Sequence, residues 1–487
     1  MEKSNGTIQN MIWKFAERFS AQMVSLVVSI ILARLLAPSD YGTVTLVMIF
    51  ITFANVFVSD GLGSALIRKQ GADALDFSSV LYFNIALSIF LYVALYFAAP
   101  WITIFFGEGY EDLTLAIRIL GIRLIFSAIN SVQQAYVAKK MIFRKFFVST
   151  LTGTIISAGI GIWMAYNGFG VWALIAQYLS GTIINTVVLS LALRKKALLQ
   201  FSFERLKQLA GFGFGVLGVN LLITSYQELR AVLIGKFYTS EDLAFYKKGA
   251  QFPDLLTTNI NTSIGAVLFP RFSQIQDDPI KIKAVAKKSI RFSFFVVAPF
   301  LFGLAAVGEN FVSVFLTDKW AGCVPFLWLF CFNSLFFTIH STNMQLLKVC
   351  GQTKTFVRLE FFKKVIELVV LLTVFRFGVI WIAVAMASTS TLFTYINCIP
   401  TKKNIGYSFA EQMKDILSPL CMCVIMAAVV FLIGMLDVNK TVLLVIQVVM
   451  GGIVYIGLSL ATKNKEFFEI IHLIKSRLPL KSGKKEN

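Results

Sequence analysis

The chain has 487 residues, 57% of them hydrophobic and 15% charged, with a mean hydropathy of +0.75. A soluble domain is about half apolar and about a quarter charged, so this composition excludes a soluble enzyme, a disordered chain and a disulfide scaffold. The net charge of +19 does not indicate nucleic acid, because the basic residues lie in short clusters between apolar runs and not in one patch.

Fourteen apolar runs follow one another, each near the ~20 residues that a helix needs to cross a bilayer. They cover 12–36, 43–60, 79–99, 113–137, 146–166, 171–193, 209–235, 249–270, 292–316, 323–347, 356–375, 378–399, 416–436 and 441–461. They are too long and too continuously apolar for barrel strands, so the expected fold is an all-α polytopic membrane protein. The first run is read as a span and not as a cleavable signal, being too long and followed by no small-residue cleavage site.

Polar residues recur inside these spans at helical spacing. Span 1 carries Lys14, Arg18, Gln22, Ser25 and Ser29, and span 2 carries Thr52, Asn55 and Ser59, followed by Asp60. Span 4 carries Arg123, Ser127, Asn130 and Gln134, and span 7 carries Asn220, Thr224, Gln227 and Arg230. Span 8 holds the longest stripe, Lys247, Gln251, Asp254, Thr258, Asn261 and Gly265, with Pro253 beside Asp254. Span 10 carries Asn333, Phe337, His340 and Asn343. Steps of three and four place each set on one helix face. For an isolated Ser or Thr, a hydrogen bond between helices is explanation enough. A charged group in lipid is costly and points to function. For Lys363 and Lys364 an ion pair with Glu360 and Glu367 on the same helix explains the charge equally well, and for Lys14 and Arg18, near the inner interface, anchoring is the alternative.

The loops set an orientation. With the N-terminus in the cytoplasm, 33 Lys and Arg fall in cytoplasmic segments and 7 in the opposite loops, so both termini are expected to be cytoplasmic. The chain also repeats itself. ARLLAPSDYG (33–42) corresponds to GKFYTSEDLA (235–244), FRKF (143–146) to TKTF (353–356), and FGVWALIA (169–176) to FGVIWIAVA (377–385). The order is kept at offsets of 202 to 210. The expected organisation is a six-helix lobe over 1–200, a second over 201–402, two further helices over 403–462 and a basic tail over 463–487, with a cavity between the lobes.

No enzyme signature is present. His340 and His472 are the two histidines, so a His-rich metal site is excluded. No nucleophile motif, P-loop or dinucleotide fingerprint occurs. The six cysteines lack metal-site spacing and read as small core residues. The outer loops are only roughly a dozen residues long, too short for the catalytic loop of a polymerase or glycosyl ligase.

ARLLAPSDYG after span 1, DGLGSALIRK (60–69), the FGVWALIA start of span 6 and the plan of six, six and two helices together resemble the polysaccharide transporters. These are the O-antigen and exopolysaccharide flippases of the multidrug/oligosaccharidyl-lipid/polysaccharide superfamily, with the colanic-acid exporter type most alike. The resemblance implies a bacterial or archaeal inner-membrane flippase for oligosaccharides linked through diphosphate to undecaprenol, working by alternating access. It implies lipid-linked oligosaccharide and membrane lipids as partners, with polysaccharide polymerase and assembly proteins alongside. It implies no cofactor and leaves proton or sodium coupling open. It implies cationic cavity residues, whose positions are taken here from the stripes: Arg123 first, with Asn130 and Gln134 on its face, then Arg230, Lys247, Gln251, Asn261 and Arg18 for substrate, and Asp60, Pro253, Asp254 and His340 for coupling or gating. The rivals are a peptidoglycan lipid-precursor flippase and a multidrug antiporter of the same superfamily.

Overall fold

In lipid, a chain segment must satisfy its own backbone, and a helix does so within one span. The computed structural model describes residues 20–59, 61–107, 109–193, 200–275 and 278–477. Nearly all of these are helical, and none is in a strand. The helices are α1 (Ser20–Leu35), α2 (Pro38–Ser59), α3 (Leu62–Arg68), α4 (Ala74–Phe106), α5 (Leu113–Gly121), α6 (Arg123–Lys140), α7 (Phe143–Tyr166), α8 (Val171–Leu193) and α9 (Phe203–Phe237). They continue as α10 (Ser240–Gln274), α11 (Pro279–Ala306), α12 (Gly308–Phe315), α13 (Val324–Leu335), α14 (Phe337–Val349) and α15 (Thr353–Val374). The last are α16 (Val379–Ile405), α17 (Phe409–Ile433), α18 (Lys440–Ala461) and α19 (Lys465–Arg477).

Among the described residues, eleven helical segments are long and apolar enough to cross a membrane. The expected fourteen are therefore not reached on length and composition. The other three expected spans coincide with α1, which is short over its described residues, and with α10 and α15. The last two are long helices that carry Lys247, Lys248 and Asp254, and Glu360, Lys363, Lys364 and Glu367.

Contacts divide the chain into two units, 1–244 and 245–487, with α10 beginning in the first. The core of the first unit joins α3, α4, α6 and α9 through Leu62, Leu66, Val80, Val132, Leu206 and Leu209. Lys69 closes this region by pairing with the fully buried Asp76 at 2.7 Å, and Lys139 donates to the Leu66 carbonyl at 2.9 Å. The DGLGSALIRK motif therefore does structural work at Lys69. α7 and α8 pack closely along small residues: a Cβ on Gly153 would lie 3.2 Å from the backbone nitrogen of Asn185.

The repeated motifs have a common local cause. The Ala37 amide donates to the Asp40 carboxylate at 3.1 Å, and the Thr239 amide donates to the Asp242 carboxylate at 3.2 Å. Each aspartate sits three residues into its helix and satisfies a free amide at the start. Gly170 and Gly378 precede α8 and α16 with φ of +51° and +126°, where a side chain would be strained. Gly42 permits a close crossing in the first unit, since a Cβ there would lie 1.8 Å from the Ser240 carbonyl oxygen.

In the second unit α11 packs along α17, and α17 along α18. One end of α11 is tied by ion pairs from Lys287 to Asp415 at 3.0 Å, Lys288 to Glu469 at 2.8 Å and Arg291 to Glu466 at 2.7 Å. Lys363 pairs with Glu360, and Lys364 with Glu367 at 2.8 Å, as their spacing predicts. The six cysteines are free thiols.

Spans 4 and 10 are each interrupted. α5 passes into α6 through a turn at Ile122, and α13 into α14 through a turn at Phe336. Gly121, at the end of α5, supplies a weak point, and a Cβ there would press on the Tyr92 ring at 3.0 Å.

Candidate functional site

The interruption at Ile122 puts Arg123 at the first position of α6. From there Arg123, Ser127, Asn130 and Gln134 step along one face and line a cavity of about 620 Å³ within the first unit. Ser25 of α1 and Asn55 and Ser59 of α2 line it too. The structure thus brings Ser25 of span 1, Asn55 and Ser59 of span 2 and the whole stripe of span 4 into one space.

Arg123 is the one charged side chain among the described residues of the lining. Its Nε donates to the Thr182 hydroxyl at 2.8 Å, and its Nη1 approaches the Met48 sulfur at 3.5 Å. It makes no ion pair among the described residues. A guanidinium with five donors and neutral partners keeps capacity for an anion. Tyr178 lines the same wall. Gln134 donates from Nε2 to the Asn130 carbonyl oxygen, which leaves the Asn130 amide nitrogen buried without a partner. Thr150 and Asn185 also line the cavity, with the Thr150 Oγ1 and the Asn185 Oδ1 buried and without a partner.

Sequence reasoning missed the third side of this cavity. α7 contributes Thr150, Thr154 and Ser157, and α8 contributes Gln177, Tyr178, Thr182 and Asn185. The signal was available: Thr150, Thr154 and Ser157 are spaced like the stripes that were singled out, as are Gln177, Gly181 and Asn185.

Arg230, Lys247, Gln251, Pro253, Asp254 and His340 are not among the described residues of this lining. Arg18 and Asp60 lie outside the described residues, and so does the side chain of Asn261. Arg230 is half-buried on α9, its guanidinium 5.7 Å from the Tyr226 ring centre. Lys247 and Gln251 are half-buried on α10, and Asp254 is exposed. Pro253 is buried, and α10 runs through it without a break. Of these two neighbouring lysines Lys248 is the deeply buried one, 4% exposed, with its ammonium 5.4 Å from the Trp320 ring centre. It lies one residue off the stripe and so escaped a search by spacing.

His340 of α14 is half-buried. Its Nδ1 is 2.5 Å from the side-chain nitrogen of Asn397. One turn on, Asn343 and Gln412 exchange two hydrogen bonds at 2.9 and 3.2 Å, and Gln412 also donates to the Tyr407 carbonyl at 3.3 Å. Asn343, Asn397 and Gln412 are fully buried. No group of His, Cys, Asp and Glu among the described residues is arranged to hold a metal.

Residues 31–325 match the family described as polysaccharide biosynthesis protein. The chain is 23% identical over 485 residues to the succinoglycan biosynthesis transport protein ExoT of Rhizobium meliloti (strain 1021), covering 97% of this chain and 96% of that one. It is 24% identical over 316 residues to the lipopolysaccharide biosynthesis protein WzxC of Escherichia coli (strain K12), covering 63% of each. Its fold resembles the lipid II flippase MurJ in an inward closed conformation. The TM-score is 0.75 at 15% identity, over 92% of this chain and 98% of that one. With these relatives, and with eleven membrane-length apolar helices among the described residues, the chain belongs to the polysaccharide biosynthesis protein family and is a multi-pass membrane protein of the transporter type.

Proposed function

We propose that the protein flips undecaprenyl-diphosphate-linked oligosaccharide repeat units across the bacterial inner membrane by alternating access, for surface polysaccharide or lipopolysaccharide assembly. The observation that carries this reading is Arg123, one cation in a cavity otherwise lined by neutral side chains among the described residues. A diphosphate linker brings about two negative charges into a low-dielectric core, where an unpaired charge costs several kcal/mol. The guanidinium offsets that cost, and its fork suits phosphate oxygens better than an ammonium does. The amides and hydroxyls around it suit sugar. The described lining holds no Asp or Glu, which argues against a site for cationic drugs.

Both termini face the cytoplasm in this reading, in keeping with the 33-to-7 distribution of basic residues. The two sequence repeats move as lobes, and Pro253, Asp254 and Asp60 are the coupling or gating groups, whereas His340, held by Asn397, is a packing residue. The test is surface polysaccharide in a deletion strain complemented with variants at matched protein level. Arg123→Ala is expected to abolish export and Arg123→Lys to keep part of it. Wild-type polysaccharide from Arg123→Ala would remove the anion site.

A second reading, transport of a peptidoglycan lipid precursor, is favoured by the shared fold with a lipid II flippase. It predicts that this chain sustains growth of a strain depleted of its own lipid II flippase, whereas the first reading predicts that it does not.

A further inference from the structure

α6 presents two different faces. Arg123, Ser127, Asn130 and Gln134 look into the cavity of the first unit, while Ile129, Gln133, Tyr136 and Lys140, again at steps of three and four, turn to another side of the helix. There they line a groove of about 380 Å³ with the first turns of α4 and the last turn of α8. Its walls are largely apolar: Phe77 and Leu81 of α4 pack on the core of the unit at Val132, and Phe77 meets Tyr136 edge-on at 5.4 Å. Leu191, beside the groove residue Ser190, is 70% exposed, so this flank of the unit is a surface that meets lipid.

The groove runs from charge to hydrocarbon. Asp73, at the start of α4, and Lys140, at the end of α6, line one end, which is the cytoplasmic one by the distribution of basic residues. Leu81 lies eight residues into α4 from Asp73, and Ile129 eleven residues back from Lys140. At ~1.5 Å per residue these are roughly 12 and 16 Å, the depth of about one leaflet of the hydrocarbon core. Tyr136 stands between, as aromatic side chains do at the headgroup boundary. Among the described residues no ion pair joins the two charges, and the exposed Lys140 forms none at all. Asp73 accepts the Asp76 amide on one oxygen at 3.0 Å and faces Arg205 with the other at 3.5 Å, and its half-exposed carboxylate keeps further lone pairs.

Apolar walls at membrane depth select a lipid, and the two charges select its head. A purely anionic head meets Lys140 and is repelled by Asp73. A choline head has no hydrogen to donate to the carboxylate. A phosphate followed by a primary ammonium meets both charges and pairs each with its opposite. We infer that the groove is a site for an aminophospholipid of the cytoplasmic leaflet, with its phosphate on Lys140, its ammonium on Asp73 and an acyl chain along Phe77, Leu81 and Ile129. The site faces away from Arg123, and the inference holds whether or not that residue meets a diphosphate.

The test uses the full chain in detergent and native mass spectrometry, with phosphatidylethanolamine, phosphatidylcholine and phosphatidylglycerol of identical acyl chains. The wild type is expected to bind the first ethanolamine lipid about tenfold more tightly than either of the others, as one or two hydrogen bonds to charged groups provide. Lys140→Gln, at an exposed residue, should bring the ethanolamine lipid down to the level of the choline lipid. Asp73→Asn keeps an oxygen to cap α4 and should reverse the order, so that the glycerol lipid, drawn by Lys140, binds more tightly than the ethanolamine lipid. A protein that had merely unfolded would show no such gain. Equal binding of the three lipids by the wild type, a wild-type preference for the glycerol lipid, or an unchanged order in either variant would overturn the proposal. Undecaprenyl diphosphate is the last probe. If it displaces the ethanolamine lipid at equal concentration from the Arg123→Ala variant, the groove belongs to the transported lipid and the proposal fails; if the ethanolamine lipid stays, the two sites are separate as proposed.

Discussion

Spans 4 and 10 are built alike and finished differently. Each starts with one helix, breaks at a single residue, Ile122 or Phe336, and resumes with a second helix that carries polar groups on one face. After the first break comes Arg123, and the face beyond it opens on a cavity in which Arg123 is the one charge among the described lining residues. After the second break comes Phe337, stacked on His340 at 6.0 Å, and the face beyond it ends in amides that bond to each other. Around span 10 the polar groups largely spend their hydrogen bonds on the protein, with the Asn397 Oδ1 and the Thr338 hydroxyl left over. Around span 4 the Arg123 guanidinium has no acidic group in the described lining. The difference teaches that a polar stripe in a membrane helix is not in itself a site. What matters is whether its partners are inside the protein.

The largest effect that this contrast predicts is at the two breaks. Arg123→Ala should abolish polysaccharide export, while His340→Ala at matched protein level should leave most of it, because His340 already has Asn397 as a partner. Equal loss from both would erase the distinction between the spans. Next in size is Gly42→Ala. The Ser240 carbonyl is backbone and cannot move aside by the 1–2 Å needed, so the variant is expected to reach the membrane at a few per cent of the wild-type amount, read by immunoblot. A normal level would mean that the two backbones can separate at this crossing.

A smaller effect concerns the closed network. Asn343→Leu leaves the buried Gln412 side chain short of two hydrogen bonds and should cost about 1–3 kcal/mol of stability in detergent. The double variant Asn343→Leu/Gln412→Leu removes both partners and should recover part of that loss. If the two single losses simply add, the pair is not coupled. The smallest effect is at Pro253. Because α10 passes through it unbroken, Pro253→Ala should keep expression and slow export only a few-fold, by removing a point at which the helix bends during transport. Export equal to wild type would make the proline a tolerated kink.

Much of this arrangement was legible in the sequence, for particular reasons. The stripe from Arg123 to Gln134 could be read because a helix fixes its own periodicity, and Ser25 of span 1 and Asn55 and Ser59 of span 2 reach the same cavity. The repeat could be read because Asp40 and Asp242 cap helix starts and Gly170 and Gly378 carry positive φ, tasks that tie residue type to position. Thr150 and Asn185 were not singled out, since hydroxyls and amides in lipid so often serve packing alone. Only the three-dimensional neighbours show that Ser149 has taken the carbonyl Thr150 would use. Lys248 was missed in favour of Lys247 because burial at the start of α10 is set by the Trp320 segment, which no local pattern announces.

The central claim is that Arg123 carries the diphosphate across the membrane. Its most direct test is the sidedness of the lipid-linked intermediate in cells that lack the chromosomal copy of the gene, measured by a membrane-impermeant reagent that modifies the sugar from outside. Wild-type protein should expose most of the intermediate to the reagent. Arg123→Ala, at equal protein level, should leave it in the inner leaflet, with Arg123→Lys between the two. Full exposure of the intermediate in the Arg123→Ala strain would contradict the account.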